Sequence, residues 1–430
     1  MRICPSHLEV PPVVPPQRRA LRRPLLLLVA MLVAHGCGQQ SRCEPGLCPV
    51  GTSCDAASGQ CVAVAPGAGA IPRLSGPYAL VGLGDTGYGV VGYAPALRSV
   101  VLIERDGDKA EVSYVAGEAT EDGIPAGDAV DAYAAEGVVH VAWVRRSDDT
   151  LWYGRRDAEG WTREQVVAIA PRRPGDRLAI RLWNGLPTIA VDELGNGRLH
   201  VAVRAVDGSW SVEEVPLPPD VDGRVARVGG TLVASTFGPS ITLAFYEPGG
   251  GDLVVATRSA SWVVSRLVGR ASDGVSDGID AGRPCALTRD TKAGLVVAYR
   301  DRSGNAVRLL RSAAGAATDH LVDDGAYTVA TTGAVRRAFV GTAIDVVRLA
   351  NGALAVAWQD ASNVRVRLAV EAPGGALKQV TLPPSVRAQV RPRLLAHSDG
   401  ALRLTWLEPD PAGAGSRIAS VRWTPLGGAE

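Results

Sequence analysis

The sequence predicts an all-β fold, a β-propeller built of four-stranded antiparallel blades, and three observations carry that expectation. First, a short apolar strand recurs seven times, with a small residue, an aromatic and then a polar or acidic residue. The copies are VVGYAP (90–95), VHVAWVR (139–145), LHVAVRA (199–205), ITLAFYE (241–247), LVVAYRD (295–301), LAVAWQD (354–360) and LRLTWLE (402–408). Their spacing averages about fifty residues, in the range of propeller blades. Second, the same neighbours surround most copies. Third, no amphipathic helical stretch of useful length follows residue 78, and period two dominates over 3.6.

The elements of one blade follow in order. An apolar strand precedes the recurring one, as in LPTIAVD (186–192) or RPCALTRD (283–290), usually across a Gly-containing turn. A third strand follows, as in TLWYGRR (150–156), DLVVATR (252–258), AVRLLRS (306–312) and VRVRLAV (364–370). A fourth is introduced by Trp or Gly, as in GWTREQVV (160–167), SWSVEEVP (209–216) and SWVVSRLV (261–268), or runs as ALKQVTLP (376–383). One such sheet cannot bury both faces, whereas blades packed radially bury one another. Trp143, Phe245, Tyr299, Trp358 and Trp406 are therefore expected as packing plugs between blades. Seven copies give seven blades if each completes one; if the less regular first (78–116) and last (392–424) combine into one closing blade, the number is six.

The layout ahead of the propeller begins with Arg18, Arg19, Arg22 and Arg23, followed by an apolar run from Leu25 to Ala34 and then His35, Gly36 and Cys37. Ten apolar residues suit a signal-peptide core and are too few to span a bilayer as a helix. The order resembles the lipobox of bacterial lipoproteins, although Ala34 stands where that family usually has Leu. The resemblance implies cleavage before Cys37 and acylation of its thiol. An ordinary secretory signal is the alternative. Gly38, in place of an Asp at that position, points towards the outer membrane or cell surface rather than the inner membrane. Loss of residues 1–36 removes five Arg and one Glu, so the formal charge moves from +1 to −3. Such a chain has no basic face for nucleic acid.

Cys43, Cys48, Cys54 and Cys61 fall in the run CEPGLCPVGTSCDAASGQC. Four close cysteines in an exported chain read as two disulfides. Zinc, the competing reading, normally shows CxxC spacings, which this run lacks. Three pairings are open, with the first-to-third, second-to-fourth pattern of EGF-like knots preferred. Cys285 is expected as a buried, inert thiol. The domain layout is thus a signal peptide (1–36), lipid anchor and cysteine knot (37–61), linker (62–77), propeller (78–424) and C-terminal tail (425–430).

The strand grammar resembles sialidase-like (BNR-type) propellers, especially their non-catalytic relatives, over residues 78–424. That family's Asp-box has the form Ser-x-Asp-x-Gly-x-Thr-Trp. SDDTLW (147–152) lacks the Gly and AVDGSW (205–210) is too short. The resemblance therefore implies the fold and no catalytic residue. Neither HExxH nor GxSxG occurs. His140 and His200 stand before V-A in two copies, which reads as one structural position in successive repeats. The loop ASDGVSDGIDAG (271–282) places Asp273, Asp277 and Asp280 among glycines. Calcium is one reading and a solvated inter-blade turn is the default; no other cofactor is expected.

These observations predict a monomeric, lipid-anchored envelope module without enzymatic activity. It would bind a glycan, peptide or protein on the propeller rim or channel mouth. A sialidase-like hydrolase or lyase acting on surface glycans is the alternative, and a purely structural envelope lipoprotein is a third class. Converging Arg, acid and Tyr side chains at one face would favour the enzyme.

Overall fold

A computed structural model of the chain describes residues 71–430 apart from 108, 121–122, 128, 167–173, 220–222, 224–225, 270–279, 291–293, 314–315, 330, 383–387, 410–414, 425–427 and 430. It also describes the backbone of strands Thr52–Asp55 and Gln60–Ala63, which pair in a two-stranded sheet. The chain divides into two compact units, 1–62 and 63–430. The second is a seven-bladed β-propeller.

Each blade is a four-stranded antiparallel sheet whose strands follow one another in sequence. Blade I comprises Ser75–Leu83, Gly87–Ala94, Ser99–Asp106 and Lys109–Gly117, and blade II Val130–Ala135, Val138–Arg145, Thr150–Asp157 and Gly160–Gln165. Blade III comprises Pro174–Trp183, Leu186–Glu193, Leu199–Arg204 and Trp210–Glu214, and blade IV Leu232–Phe237, Ser240–Glu247, Asp252–Arg258 and Trp262–Val268. Blade V runs through Ala281–Arg289, Leu295–Asp301, Ala306–Ala313 and Ala316–Asp323. Blade VI holds Val340–Arg348, Leu354–Asp360, Arg365–Glu371 and Leu377–Val380, and blade VII Val390–Ala396, Leu402–Pro409, Ser416–Thr424 and Gly428–Ala429. The first strand of each blade lies against the first strand of the next, and blade VII returns to blade I. First strands therefore ring the central channel. Among the described residues no helix is long and apolar enough to cross a membrane.

The second strands explain the recurring motif. They are buried on both faces, so they read as continuous apolar runs rather than alternating ones. Phe245, Tyr299 and Trp358 are fully buried, Trp143 is 2% exposed and Trp406 9%. Each belongs to an apolar cluster shared with the preceding blade: Trp143 packs with Val91 and Leu102, and Trp358 with Ala298 and Leu309. The acid closing the motif has a separate task. Glu247 accepts the backbone N–H groups of Gly249 (2.8 Å) and Gly250 (2.7 Å), and Asp301 that of Gly304 (2.7 Å). These carboxylates tie the turn into the third strand, where peptide donors would otherwise go unpaired.

The expected seven blades are present: the first and last segments do not merge into one closing blade, because each has four strands of its own. One expectation is corrected, since LHVAVRA is not a second strand. Blade III uses LPTIAVDE there, and Leu199–Arg204 is its third strand, with Ile189 opposite Ala202 and Val191 opposite His200. Leu199, His200, Val201 and Ala202 are all buried, so this third strand imitates the motif, while the true second strand carries Val191 where an aromatic is usual. His140 and His200 are consequently not equivalent positions.

Polar clasps join the blades. On the outer strands, Arg204 grips Glu164 of blade II through Nε (2.6 Å) and Nη2 (3.2 Å), and Trp210 donates to the same carboxylate at 2.9 Å. Arg258 and Trp262 repeat this on Glu213 of blade III. A deeper network joins blades V and VI. Asp323 accepts from Trp358 Nε1 (2.7 Å) and Arg367 Nη1 (2.9 Å), while Arg367 Nη2 reaches Asp360 at 2.6 Å. The ring closes between blades VII and I through paired backbone bonds of Leu74 and Ser416 (2.8 and 2.7 Å) and a Tyr78–Thr405 hydroxyl contact (2.9 Å).

Candidate functional site

Seven first strands begin on one face of the ring, where second strands also end, and this geometry gathers side chains from distant sequence. A cavity of about 520 Å³ opens there between blades III and VI. Arg177 contributes from blade III and Arg283, Arg300 and Arg302 from blade V; Thr342 comes from blade VI, and Gly230 lies just before blade IV. Two glycines make the approach possible. At Gly341, whose φ is +79°, an added Cβ would lie 2.9 Å from Val307 and 3.3 Å from Arg300. At Gly230 it would lie 2.9 Å from Tyr246 Cβ and 3.2 Å from Arg283 Cγ.

The four arginines are not equivalent. Arg177 is tied to Asp192 through Nη1 (2.7 Å), and Asp192 also accepts its backbone N–H (2.9 Å). Arg302 is tied to Asp280 at 2.7 Å. Arg283 is exposed. Arg300 is 7% exposed, its guanidinium lies 3.9 Å from the Phe339 ring centroid, and its Nε meets no hydrogen-bond partner. Burial, and next the charge of Arg302, push its pKa down. Thr342 Oγ1 is likewise buried without a partner. Behind Asp280, burial raises the Tyr246 phenol, and the neighbouring carboxylate adds to the rise. Asp192 and Asp280 each carry an arginine on one oxygen, and Tyr246 is only 4% exposed. The arrangement offers donors and positive charge to a ligand rather than a general base.

Deeper on the first strands, polar groups serve blade joining. Asp131 accepts Ile180 N (3.0 Å) and Arg181 Nη1 (3.2 Å), and Asp345 accepts Leu394 N (2.8 Å). Burial raises the Asp345 carboxyl against the pull of Arg393.

Of the residues singled out in the sequence, Cys37, Cys43, Cys48, Asp273 and Asp277 lie outside the described residues. Cys54 and Cys61 fall on the two short paired strands, of which only the backbone is described. Asp280 stands at the mouth as the partner of Arg302. Among the described residues no group of three or more His, Cys, Asp or Glu is arranged to hold a metal. His140 Nδ1 lies 2.7 Å from the Tyr153 hydroxyl, and His200 Nε2 3.2 Å from Glu193. His397 Nδ1 lies 3.1 Å from the Asp85 carbonyl, and His320 is exposed. Cys285 is buried and unpaired, with burial pushing its thiol up to about 12. Arg300 and Thr342 were not singled out: one stands inside a motif copy and the other in a separate blade, and only the fold brings them together.

No protein-family model and no curated protein matches the sequence. Among solved structures, the chain is similar to a Mycobacterium tuberculosis puromycin-hydrolyzing peptidase at 15% identity and TM-score 0.51, covering 84% of this chain and 56% of that one. It is also similar to a puromycin hydrolase at 17% identity and TM-score 0.50, over 83% and 53% of the two chains. A streptogramin B lyase structure aligns at 12% identity and TM-score 0.48, over 82% and 94%. At these identities the first two likenesses concern the propeller fold alone.

Proposed function

We propose that this chain is an exported envelope lipoprotein, acylated on Cys37, whose propeller is a non-enzymatic module that binds a glycan or protein ligand at the arginine-lined channel mouth. The observation that carries the binding part is the 520 Å³ cavity, where side chains of three blades converge while the nearby acids are held by arginines. The lipobox-like segment supports the anchor, and the placement at the outer membrane or cell surface follows from Gly38. The cysteine run supports two disulfides between the anchor and the linker. A monomeric state and a 271–282 loop serving as a solvated inter-blade turn belong to the same proposal, with calcium on Asp273, Asp277 and Asp280 as the alternative.

Binding is tested by presenting glycan and peptide arrays with the full chain, purified in mild detergent, beside Thr231→Trp, a bulky replacement at another residue lining the mouth. Ligands retained by the wild type and lost by the variant support the mouth; equal retention refutes it. Palmitate labelling with globomycin tests the anchor, and labelling that persists in Cys37→Ser ends that claim.

A second reading, a sialidase-like hydrolase or lyase, draws on Tyr246, Asp280 and Arg302 standing together beside the mouth. Turnover of a surface glycan that disappears in Tyr246→Phe would establish it.

A further inference from the structure

We infer that the mouth takes an oxyanion, a carboxylate, sulfate or phosphate carried by the ligand, on Arg300 and Thr342 where blades V and VI meet. The inference rests on the mouth being the ligand site and names the chemistry recognised there. A guanidinium has five donors in a fixed fork and keeps its charge. The Arg300 Nε meets no acceptor among the described residues, and its face is covered by Phe339. Thr342, from the next blade, brings a second buried polar atom without a partner to the same cavity. Buried donors left unpaired are uncommon and costly. These two belong to residues from different blades that line one cavity, where a bound ligand can supply the acceptor atoms.

The sign of the ligand follows from the neighbours. Asp280 is engaged by Arg302 through Oδ2, with its Oδ1 buried and unpartnered, Asp192 by Arg177, and Asp301 by the N–H of Gly304. Arg283 adds another positive charge at the open edge. A neutral acceptor would satisfy the hydrogen bonds and leave the cation uncompensated, whereas an oxyanion does both and matches the fork geometry. Phe339, 47% exposed beside the site, gives an apolar flank. It favours an oxyanion carried on a ring or an apolar body over a bare ion.

The test titrates the full chain in mild detergent and low salt with glucuronate, inorganic sulfate or inorganic phosphate, each separately, with glucose as the uncharged control. Calorimetry and melting temperature are read together. At least one oxyanion should bind and raise the melting temperature with concentration, while glucose does neither; which one binds separates carboxylate from sulfate or phosphate ligands. Arg300→Met should weaken binding by about tenfold or more, the usual scale for losing charge-assisted hydrogen bonds. Its melting temperature without ligand should equal or exceed that of the wild type, since an unpaired buried cation has been removed. Arg300→Lys, which keeps the charge and loses the fork, should fall between. Failure of all three oxyanions to bind the wild type overturns the inference, and so does undiminished binding to Arg300→Met. An uncharged array ligand lost in Thr231→Trp and kept in Arg300→Met would sink the oxyanion and leave the mouth standing.

Discussion

Replacing Arg367 with Met tests what holds blades V and VI together. The guanidinium, 9% exposed, bonds Asp323 at 2.9 Å and Asp360 at 2.6 and 3.0 Å, while those carboxylates are 4% and 0% exposed. Removing it takes the buried cation from Asp323 and leaves Asp360 with the more exposed Arg365 at 3.2 Å, a change that costs up to roughly 3–5 kcal/mol. With an unfolding entropy of about 2.1 cal/mol/K per residue over a propeller of about 350 residues, the melting temperature should fall by up to roughly 4–7 °C. The loss should also depend on pH. Burial pulls the Asp360 carboxyl up, but hydrogen bonds from Asn363 and Arg367 outweigh it and hold the pKa below the usual carboxylate range. A folded-state pKa below the unfolded one gives stability that is present above the unfolded value and lost as pH falls through the folded one. Acidification should therefore cost the wild type stability and narrow its lead over the variant. Calorimetric scans at pH 7 and at about pH 2.5, below the unfolded carboxylate value of about 3.9, read both effects. A fall below 1 °C at pH 7, or an equal gap at both pH values, would refute the reasoning.

Three further outcomes are expected. Phe245→Ala, which empties a fully buried site between blades III and IV, should cost about 3–5 kcal/mol in denaturant unfolding. Cys285 should resist iodoacetamide in the native protein and be alkylated once it is unfolded, because its thiol is buried and held protonated up to about 12; native labelling at neutral pH would contradict this. Burial, and then Arg155, lower His140 to about 4, so the unfolded chain binds a proton there that the folded chain refuses. Stability should drop between pH 6.5 and 4 by up to about 3 kcal/mol, and His140→Gln should flatten that part of the urea-midpoint profile.

The propeller was legible because its second strands are buried on both faces and must repeat small, aromatic and turn-capping acidic residues wherever two blades meet. That signal reports burial rather than strand position, which is why the third strand of blade III, equally buried, passed for another copy. First strands were harder to read, since they divide their residues between neighbouring blades and the channel. The mouth was barely legible. Arg300 stands one place before the acid, where Val144, Asp192, Tyr246, Gln359 and Leu407 stand in other blades, so an arginine inside a buried run was the available clue. Its sharing a cavity with Thr342 depends on strands about forty residues apart being brought together by the fold.

The paired bonds between Leu74 and Ser416 carry a mechanical consequence. A pull arriving from residues before Leu74 meets them ahead of the first strand of blade I. Because Ser416 opens the third strand of blade VII, that pull is shared between the two ends of the ring rather than peeling one blade away. The closure point thus doubles as a strain relief, so a propeller held by its N-terminus resists tension at the same joint that makes it a circle.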